Sequence, residues 1–460
     1  MKGFVPTPAP VVDLMVGKLF HERPPTGNSS VLDPGCGQGA FVEGIVRWCT
    51  SRQLPLPSIV GIESDPTHVA CLRERFACVE GVEIREADFL LSSRDTFDYI
   101  IGNPPYVAIT ALSDVERAHY RRGYETATGR FDLYLLFFEQ ALRLLESQGR
   151  LVFITPEKYL YVETAAPLRR LLSNHGVEEL HLLDEETFPG LVTYPLITTV
   201  SGAASTDRTR VIERGGRRRL IPALTGQTSW MPLIREASAP TGAITLKDIA
   251  IRISCGVATG ADSVFVVPNS LVTPGLAPFA YPTVAGRDIT DTDLPAFERS
   301  LLVPYDSAGQ LLPETHLGEL GDYLSDSERK KKLLGRTCVL SKPWYAFHET
   351  PPLRDILRPK VLCKDIGANP LFVIDRDGYV VPRHSVYYIV PANPERIDDL
   401  ADYLNSADAA SWLRDHCQRA ANGFLRLQSH VLKHLPLPES LEALASQLDL
   451  PVAGAGRRSA

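Results

Sequence analysis

No stretch of this 460-residue chain is apolar for long enough to cross a bilayer; the longest such runs, Leu133 to Phe138 among them, are far too short. Nor does a charged, then apolar, then small-residue segment open the chain as a secretion signal would. These absences argue against a membrane partner and a secreted precursor, and lead to the expectation of a soluble cytoplasmic protein. The eight cysteines never form a Cys-x-x-Cys pair. That removes the zinc-ribbon and dithiol redox readings and leaves reduced thiols, with no metal expected. An excess of positive charge is missing too, since a formal net charge of −7 argues against a protein that coats nucleic acid non-specifically. A local cationic cleft stays open. Arg121-Arg122, Arg217 to Arg219 and Lys330 to Lys332 are candidates for it, although runs this short are more often solvated faces. No internal repeat is visible.

What is present is enough apolar material, 44% of residues, for well-packed cores, in a chain longer than one core usually serves. Residues 1–204 alternate short β-rich runs with helical patterns, the signature of a doubly wound α/β domain with helices on both faces of a mostly parallel sheet. Seven strand-like runs are expected at Ser30-Asp33, Ile59-Glu63, Glu83-Glu86, Tyr99-Ile101, Leu151-Thr155, Glu179-Leu183 and Leu196-Val200. Phe131 to Ser147 is the clearest amphipathic helix, stopped by Gly149. Residues 205–240 read as a linker of Ser, Thr, Gly, Pro and Arg. Residues 241–440 read as a second, mixed and β-rich domain. Its strands are expected at Ser263-Val267, Lys360-Cys363, Leu371-Ile374 and Ser385-Val390, with helices near 396–406 and 408–420. Residues 441–460 read as a C-terminal tail, disordered from Pro451 on by its Gly, Arg and Ala content.

Three strand ends carry ligand chemistry. Val31-Leu32-Asp33-Pro34-Gly35-Cys36-Gly37-Gln38-Gly39 runs from an apolar strand into a glycine-dense turn, where the backbone of Gly35 and Gly37 can approach a ligand closely. The dinucleotide fingerprint G-x-G-x-x-G is absent, and the anionic Asp33 beside the loop suits a cationic ligand better than a pyrophosphate. Glu63 ends the second strand where a ribose diol could donate two hydrogen bonds to it. Asp88-Phe89 ends the third, pairing an acceptor for an adenine amino group with a ring that can stack on the base. Singly, the turn could be structural, Glu63 a helix cap and Asp88 a turn residue; three such ends in order favour the joint reading.

After the fourth strand comes Gly102-Asn103-Pro104-Pro105-Tyr106, in which two prolines have no N–H to donate and stiffen the turn. Here the sequence resembles class I amino methyltransferases, whose Asn-Pro-Pro-Tyr motif binds a planar amino nitrogen. The order of motifs resembles that of gamma-class, Taq-type adenine-N6 DNA methyltransferases of restriction-modification systems, because Gly39 to Gly102 leaves no space for a recognition domain. The resemblance implies S-adenosylmethionine as cofactor, a seven-stranded class I methyltransferase sheet, and double-stranded DNA as partner, with the enzyme acting as a monomer. It leaves room for a separate cognate restriction endonuclease. It implies that Asn103 and the Pro104 carbonyl accept both hydrogens of a flipped-out adenine amino group, that Tyr106 and Phe188 close on the base, and that Thr7, Asn103 and Pro105 border the cofactor. Phe188, just before a turn, could equally be core. The second half resembles the family's recognition domain at Ile249 to Asp262, Lys342-Pro343-Trp344, Arg358-Pro359-Lys360 and Leu435 to Pro438; Arg252, Lys342 and Arg383 are its candidate DNA contacts.

Other readings stay open. A cytosine-N4 enzyme shares the motif, although Asn rather than Ser at 103 leans toward adenine. A protein-glutamine or RNA methyltransferase shares it too, generally without so long a C-terminal half. A silent DNA-binding subunit would be expected to have lost Asp33, Glu63, Asp88 and Asn103. His430 and His434 read as one face of a helix rather than metal ligands.

Overall fold

A computed structural model describes residues 5–442 apart from 93–94, 191–192, 204–206, 227–228, 235–243 and 421–423. The expected tail, 441–460, lies almost wholly outside the described residues. The chain divides into two compact units, Met1–Glu236 and Ala237–Ala460.

The first unit is built on β1 (Ser30–Pro34), β2 (Ser58–Glu63), β3 (Val82–Glu86), β4 (Phe97–Gly102), β5 (Leu145–Pro156), β6 (Gly176–Leu182), β7 (Pro195–Ser201), β8 (Arg208–Ile212) and β9 (Arg218–Pro222). Their order in the sheet is β3-β2-β1-β4-β5-β7-β6-β8-β9. The first five of these neighbours pair in parallel, and β7 runs antiparallel to both β5 and β6. The seven-strand part, with its reversed β7, is the class I methyltransferase fold. The helices are α1 (Ala9–Leu19), α2 (Ala40–Ser51), α3 (Pro66–Arg75), α4 (Phe89–Ser92), α5 (Asp114–Gly123), α6 (Leu133–Leu144) and α7 (Ala166–Ser173).

The strands read as continuous apolar runs because both faces of the sheet are covered. Successive side chains alternate between two cores: Leu32, Ile100, Leu151 and Phe153 pack on the side of α6, while Val31, Tyr99, Ile101, Val152 and Ile154 pack on the side of α1 and α2. Each of these fully buried apolar side chains contributes roughly 1.5–3 kcal/mol. Helix α6 is buried at every position but Arg143, so it is a core helix rather than the amphipathic one expected.

Two expectations need correction. The span read as a linker, 205–240, carries β8 and β9, which extend the sheet from seven strands to nine; Thr209, Val211 and Ile221 turn inward and the arginines between them face out. Ser263-Val267, read as a strand, begins as a helical turn, Asp262–Phe265, preceded by a local turn in which Thr259 accepts the Ala261 N–H at 3.0 Å and contacts Asp262. The strand that follows is Val266–Pro268.

The second unit holds a four-stranded antiparallel sheet in the order Ala250–Cys255, Val386–Pro391, Lys360–Lys364, Phe372–Asp375. A three-stranded sheet (Val266–Pro268, Arg299–Leu302, Ala280–Pro282) and helices at Ile397–Leu404 and Ala407–His416 complete its main elements. Lys360 and Asp375 form an ion pair with both side chains fully buried.

Candidate active site

The strand order reverses direction between β1 and β4, and ligands of open α/β sheets bind in the crevice outside the carboxyl ends of strands at such a point. A cavity of about 690 Å³ opens there, lined by residues from Val5 to Phe137. Its floor is the glycine turn. Gly35, Gly37 and Gly39 have φ of 94°, 53° and 80°, a region L side chains rarely adopt. The N–H groups of Gly35 and Cys36 both donate to the Ile62 carbonyl, at 2.8 and 2.9 Å, folding the turn down on β2.

Glu63, 3% exposed, accepts from the backbone N–H of Gly37 at 2.8 Å, Ser64 at 2.7 Å and Asp65 at 2.8 Å. Oε1 also accepts from the Ser64 hydroxyl at 3.4 Å, whereas Oε2 takes only the Gly37 N–H, so acceptor capacity remains on Oε2 of this cavity-lining group. Asp33 is fully buried and neither oxygen has a partner. Burial first, and the Glu63 charge second, push its carboxyl well above the usual carboxylate range. Glu43, Glu63, Asp65, Asp88 and Glu116 line the cavity against one cation, Arg75. Such a wall repels phosphates and favours a cationic ligand.

Asp88 accepts from the Leu90 N–H at 2.9 Å and from the Tyr120 hydroxyl at 3.2 Å. Around it Ala87, Phe89, Val107, Leu112, Leu133 and Phe137 make an apolar slot. Phe89 lies 5.0 Å from Phe137, ring centre to ring centre.

At the other end Asn103 follows β4. Its Nδ2 donates to the Val5 carbonyl at 3.0 Å and to Thr7 Oγ1 at 3.1 Å. A backbone carbonyl can only accept, so these contacts fix which way the amide points. Asn103 Oδ1 is buried and has no partner. Pro105 lines the cavity while Pro104 is buried behind it. Tyr106 stands edge-on to Tyr134, ring centres 6.4 Å apart, with its hydroxyl buried and unpartnered.

The structure thus brings Thr7, Asp33, Gly35, Gly37, Glu63, Asp88, Phe89 and Asn103 to Tyr106 to one edge of the sheet. Phe188 is not on the cavity wall. It is 2% exposed and belongs to the apolar cluster that also holds Ile154 and Ile197. In the second unit Arg252 pairs with Asp355 at 2.6 Å and Lys342 Nζ donates to the His348 carbonyl at 2.9 Å. Arg383 is 8% exposed and paired with Asp288 at 3.1 Å, which makes it a packing residue rather than an open phosphate contact. Among the described residues no group of three or more His, Cys, Asp or Glu is placed to hold a metal, and no helix is long and apolar enough to cross a membrane. All eight cysteines are free.

Sequence reasoning missed Val5, Glu116 and Tyr120. The last two had a signal: Ser113-x-x-Glu116 is a capping box that starts α5, and residues four apart on a helix share a face.

The sequence profile of the Eco57I restriction-modification methylase family matches residues 67–188. The type II methyltransferase M.PaeR7I of Pseudomonas aeruginosa is 27% identical over 507 aligned positions, covering 95% of this chain and 86% of its own. The chain is a relative of the type II restriction-modification methyltransferases. M.TthHB8I of Thermus thermophilus, also a type II methyltransferase, is 35% identical over 41% of this chain and 42% of its own. Among solved structures, that of the type IIL restriction-modification enzyme MmeI in complex with DNA superposes with a TM-score of 0.63 at 14% identity, over 92% of this chain and 64% of that one. This methyltransferase relative has a cavity whose residues fit S-adenosylmethionine. The acidic wall suits the sulfonium and ammonium charges, Glu63 suits the ribose, and the Asp88 slot suits the purine, while Asp33 is buried off the cavity wall.

Proposed function

We propose that the protein is a site-specific DNA methyltransferase that transfers a methyl group from S-adenosylmethionine to N6 of an adenine turned out of a duplex. The observation that carries this reading is Asn103 Oδ1, a buried acceptor with no partner, on an amide whose nitrogen is already committed to Val5 and Thr7. Such an atom is poised to accept a hydrogen from a planar amino group. The Pro104 carbonyl, held by a turn that cannot flex at Pro104 or Pro105, is the second acceptor. With both hydrogens held, the nitrogen lone pair is drawn out of the ring and aimed along one line. Bound S-adenosylmethionine supplies an electrophilic methyl group on that line. Asn103 and Pro104 then hold the hydrogens until one leaves to water, so no strong base is required. A base inside a duplex cannot reach this turn, hence the flipping, with Tyr106 as the stacking ring. Phe188 fills the same role on the other face only if the loop around it opens.

The names of the relatives support DNA as the substrate, and Asn at position 103 supports adenine over cytosine-N4. The second unit reads the sequence of double-stranded DNA, with a separate restriction endonuclease as the counterpart enzyme. The test is to incubate the protein with methyl-tritiated cofactor and unmethylated genomic DNA, then digest and separate the nucleosides. Label in N6-methyldeoxyadenosine is expected. Label in N4-methyldeoxycytidine replaces the adenine reading, and label confined to protein or RNA removes the DNA reading.

A further inference from the structure

Helix α5 is the next α-helix after the Asn103–Tyr106 turn and lays Glu116 and Tyr120 on the cavity wall. Tyr120 is 6% exposed, and its hydroxyl donates to Asp88 Oδ2 at 3.2 Å. Asp88 Oδ1 is held from the other side by the Leu90 N–H at 2.9 Å. One turn on, the Tyr124 hydroxyl donates to the Leu90 carbonyl at 2.5 Å and lies 3.3 Å from Gln140 Oε1. The carboxylate is therefore fixed at both oxygens, by its own helix α4 and by α5.

We infer that Tyr120 is a positioning residue that sets cofactor specificity: by holding Asp88 in one orientation it makes the site require an amino group at C6 of the ligand purine. The inference rests on the reading above only for the placing of the purine against Asp88. A carboxylate accepts about four hydrogen bonds, so the Tyr120 hydroxyl does not compete with the incoming amino group. It removes the rotational freedom and the need for a solvating water that would otherwise let Asp88 tolerate an oxo group. With both oxygens anchored, an oxo purine turns an acceptor, O6, toward a carboxylate that can only accept, at the point where the amino group would donate.

The experiment is isothermal titration of the full chain with S-adenosylhomocysteine and with its 6-oxo (inosine) counterpart, for the wild type, Tyr120→Phe and Asp88→Asn. The wild type is expected to prefer the amino ligand by about a hundredfold or more. Tyr120→Phe keeps the ring, and with it the packing of α5; a melting curve checks this. It is expected to weaken the amino ligand about tenfold and to leave the oxo ligand within about twofold. Equal weakening of both ligands would assign Tyr120 a packing role and overturn the inference, as would wild-type affinity in Tyr120→Phe. If Asp88→Asn erases the preference while Tyr120→Phe keeps it, the inference about Tyr120 alone falls. If the wild type shows no preference, the placing of the purine against Asp88 falls first and takes the inference with it.

Discussion

At the scale of single residues the site depends on polar atoms left without partners. Replacing Asn103 by Ala removes the unpartnered Oδ1, proposed above as the acceptor of a hydrogen from the target amino group. Loss of one such group typically costs about a hundredfold to a thousandfold in turnover. The expected result for Asn103→Ala is a kcat lower by about that factor with cofactor affinity changed only a few-fold; an unchanged kcat in a tritium-transfer assay would refute the role. Asp33 presents the opposite case, a carboxyl raised by burial and by Glu63. Its folded value lies above its unfolded one, so the stability it contributes is fully present below the unfolded value and is lost as pH rises through the folded value. A cation seated in the cavity favours the charged form and lowers that value. Binding of S-adenosylmethionine should therefore release a proton, read as a binding enthalpy that depends on the ionisation enthalpy of the buffer. Asp33→Asn should abolish the buffer dependence and raise the melting temperature of the ligand-free protein at neutral pH. A buffer-independent binding enthalpy would count against this coupling of Asp33 to the ligand.

At the scale of elements the joint between β1 and α2 is tight. Gly39 has φ of 80°, and a Cβ there would meet Leu72 at 2.6 Å and Phe76 at 3.1 Å. A left-handed L residue costs about 1–2 kcal/mol and overpacking costs about 1–3 kcal/mol. Gly39→Ala should accordingly lose about 2–4 kcal/mol in urea unfolding. Gly123, at the end of α5 with nothing within 4 Å of its Cβ position, is the control: Gly123→Ala should be neutral or slightly stabilising. The strands feeding the site were legible because β1, β2 and β4 are short apolar runs ended by turn residues, and the cofactor turn and Asn-Pro-Pro-Tyr stand at those ends. The β8–β9 hairpin was not. Its inward residues, Thr209, Val211 and Ile221, do alternate, and Gly215-Gly216, both at φ 87°, is a hairpin turn signal. The outward arginines at 208, 210 and 218 gave the span the look of a charged linker. Phe188 was read from its motif, and nothing local could show that its ring packs among Ile154 and Ile197, which are distant in sequence. Tyr120 could be placed on the Glu116 face of its helix, but its contact with Asp88 was illegible for the same reason, since Asp88 lies on a different element.

At the scale of the whole molecule, division of labour between the two units can be tested directly. Every residue assigned to the cofactor lies in Met1–Glu236, and the cores around its sheet are made of that unit's own side chains. The second unit has its own apolar clusters, one of them spanning Val257 to Val390. Units with separate cores can in principle fold alone. A fragment of residues 1–236 is then expected to fold and to bind S-adenosylhomocysteine within about threefold of the full chain, a difference below 1 kcal/mol. It should lose methylation at the sites the full chain modifies if, as proposed, the base-reading surface belongs to the half removed. Sequencing of methylated genomic DNA from cells expressing either form reads the second point, and titration calorimetry reads the first. A fragment that methylates the same sites would move recognition into the first unit. One that folds but loses more than about tenfold in cofactor affinity would mean that the second unit helps to build the cavity. Because M.PaeR7I aligns with 95% of this chain, its corresponding half offers a matched exchange. Fusing residues 1–236 to that half should restore DNA methylation with the specificity of the donor, and a fusion that keeps the original sites would contradict the assignment.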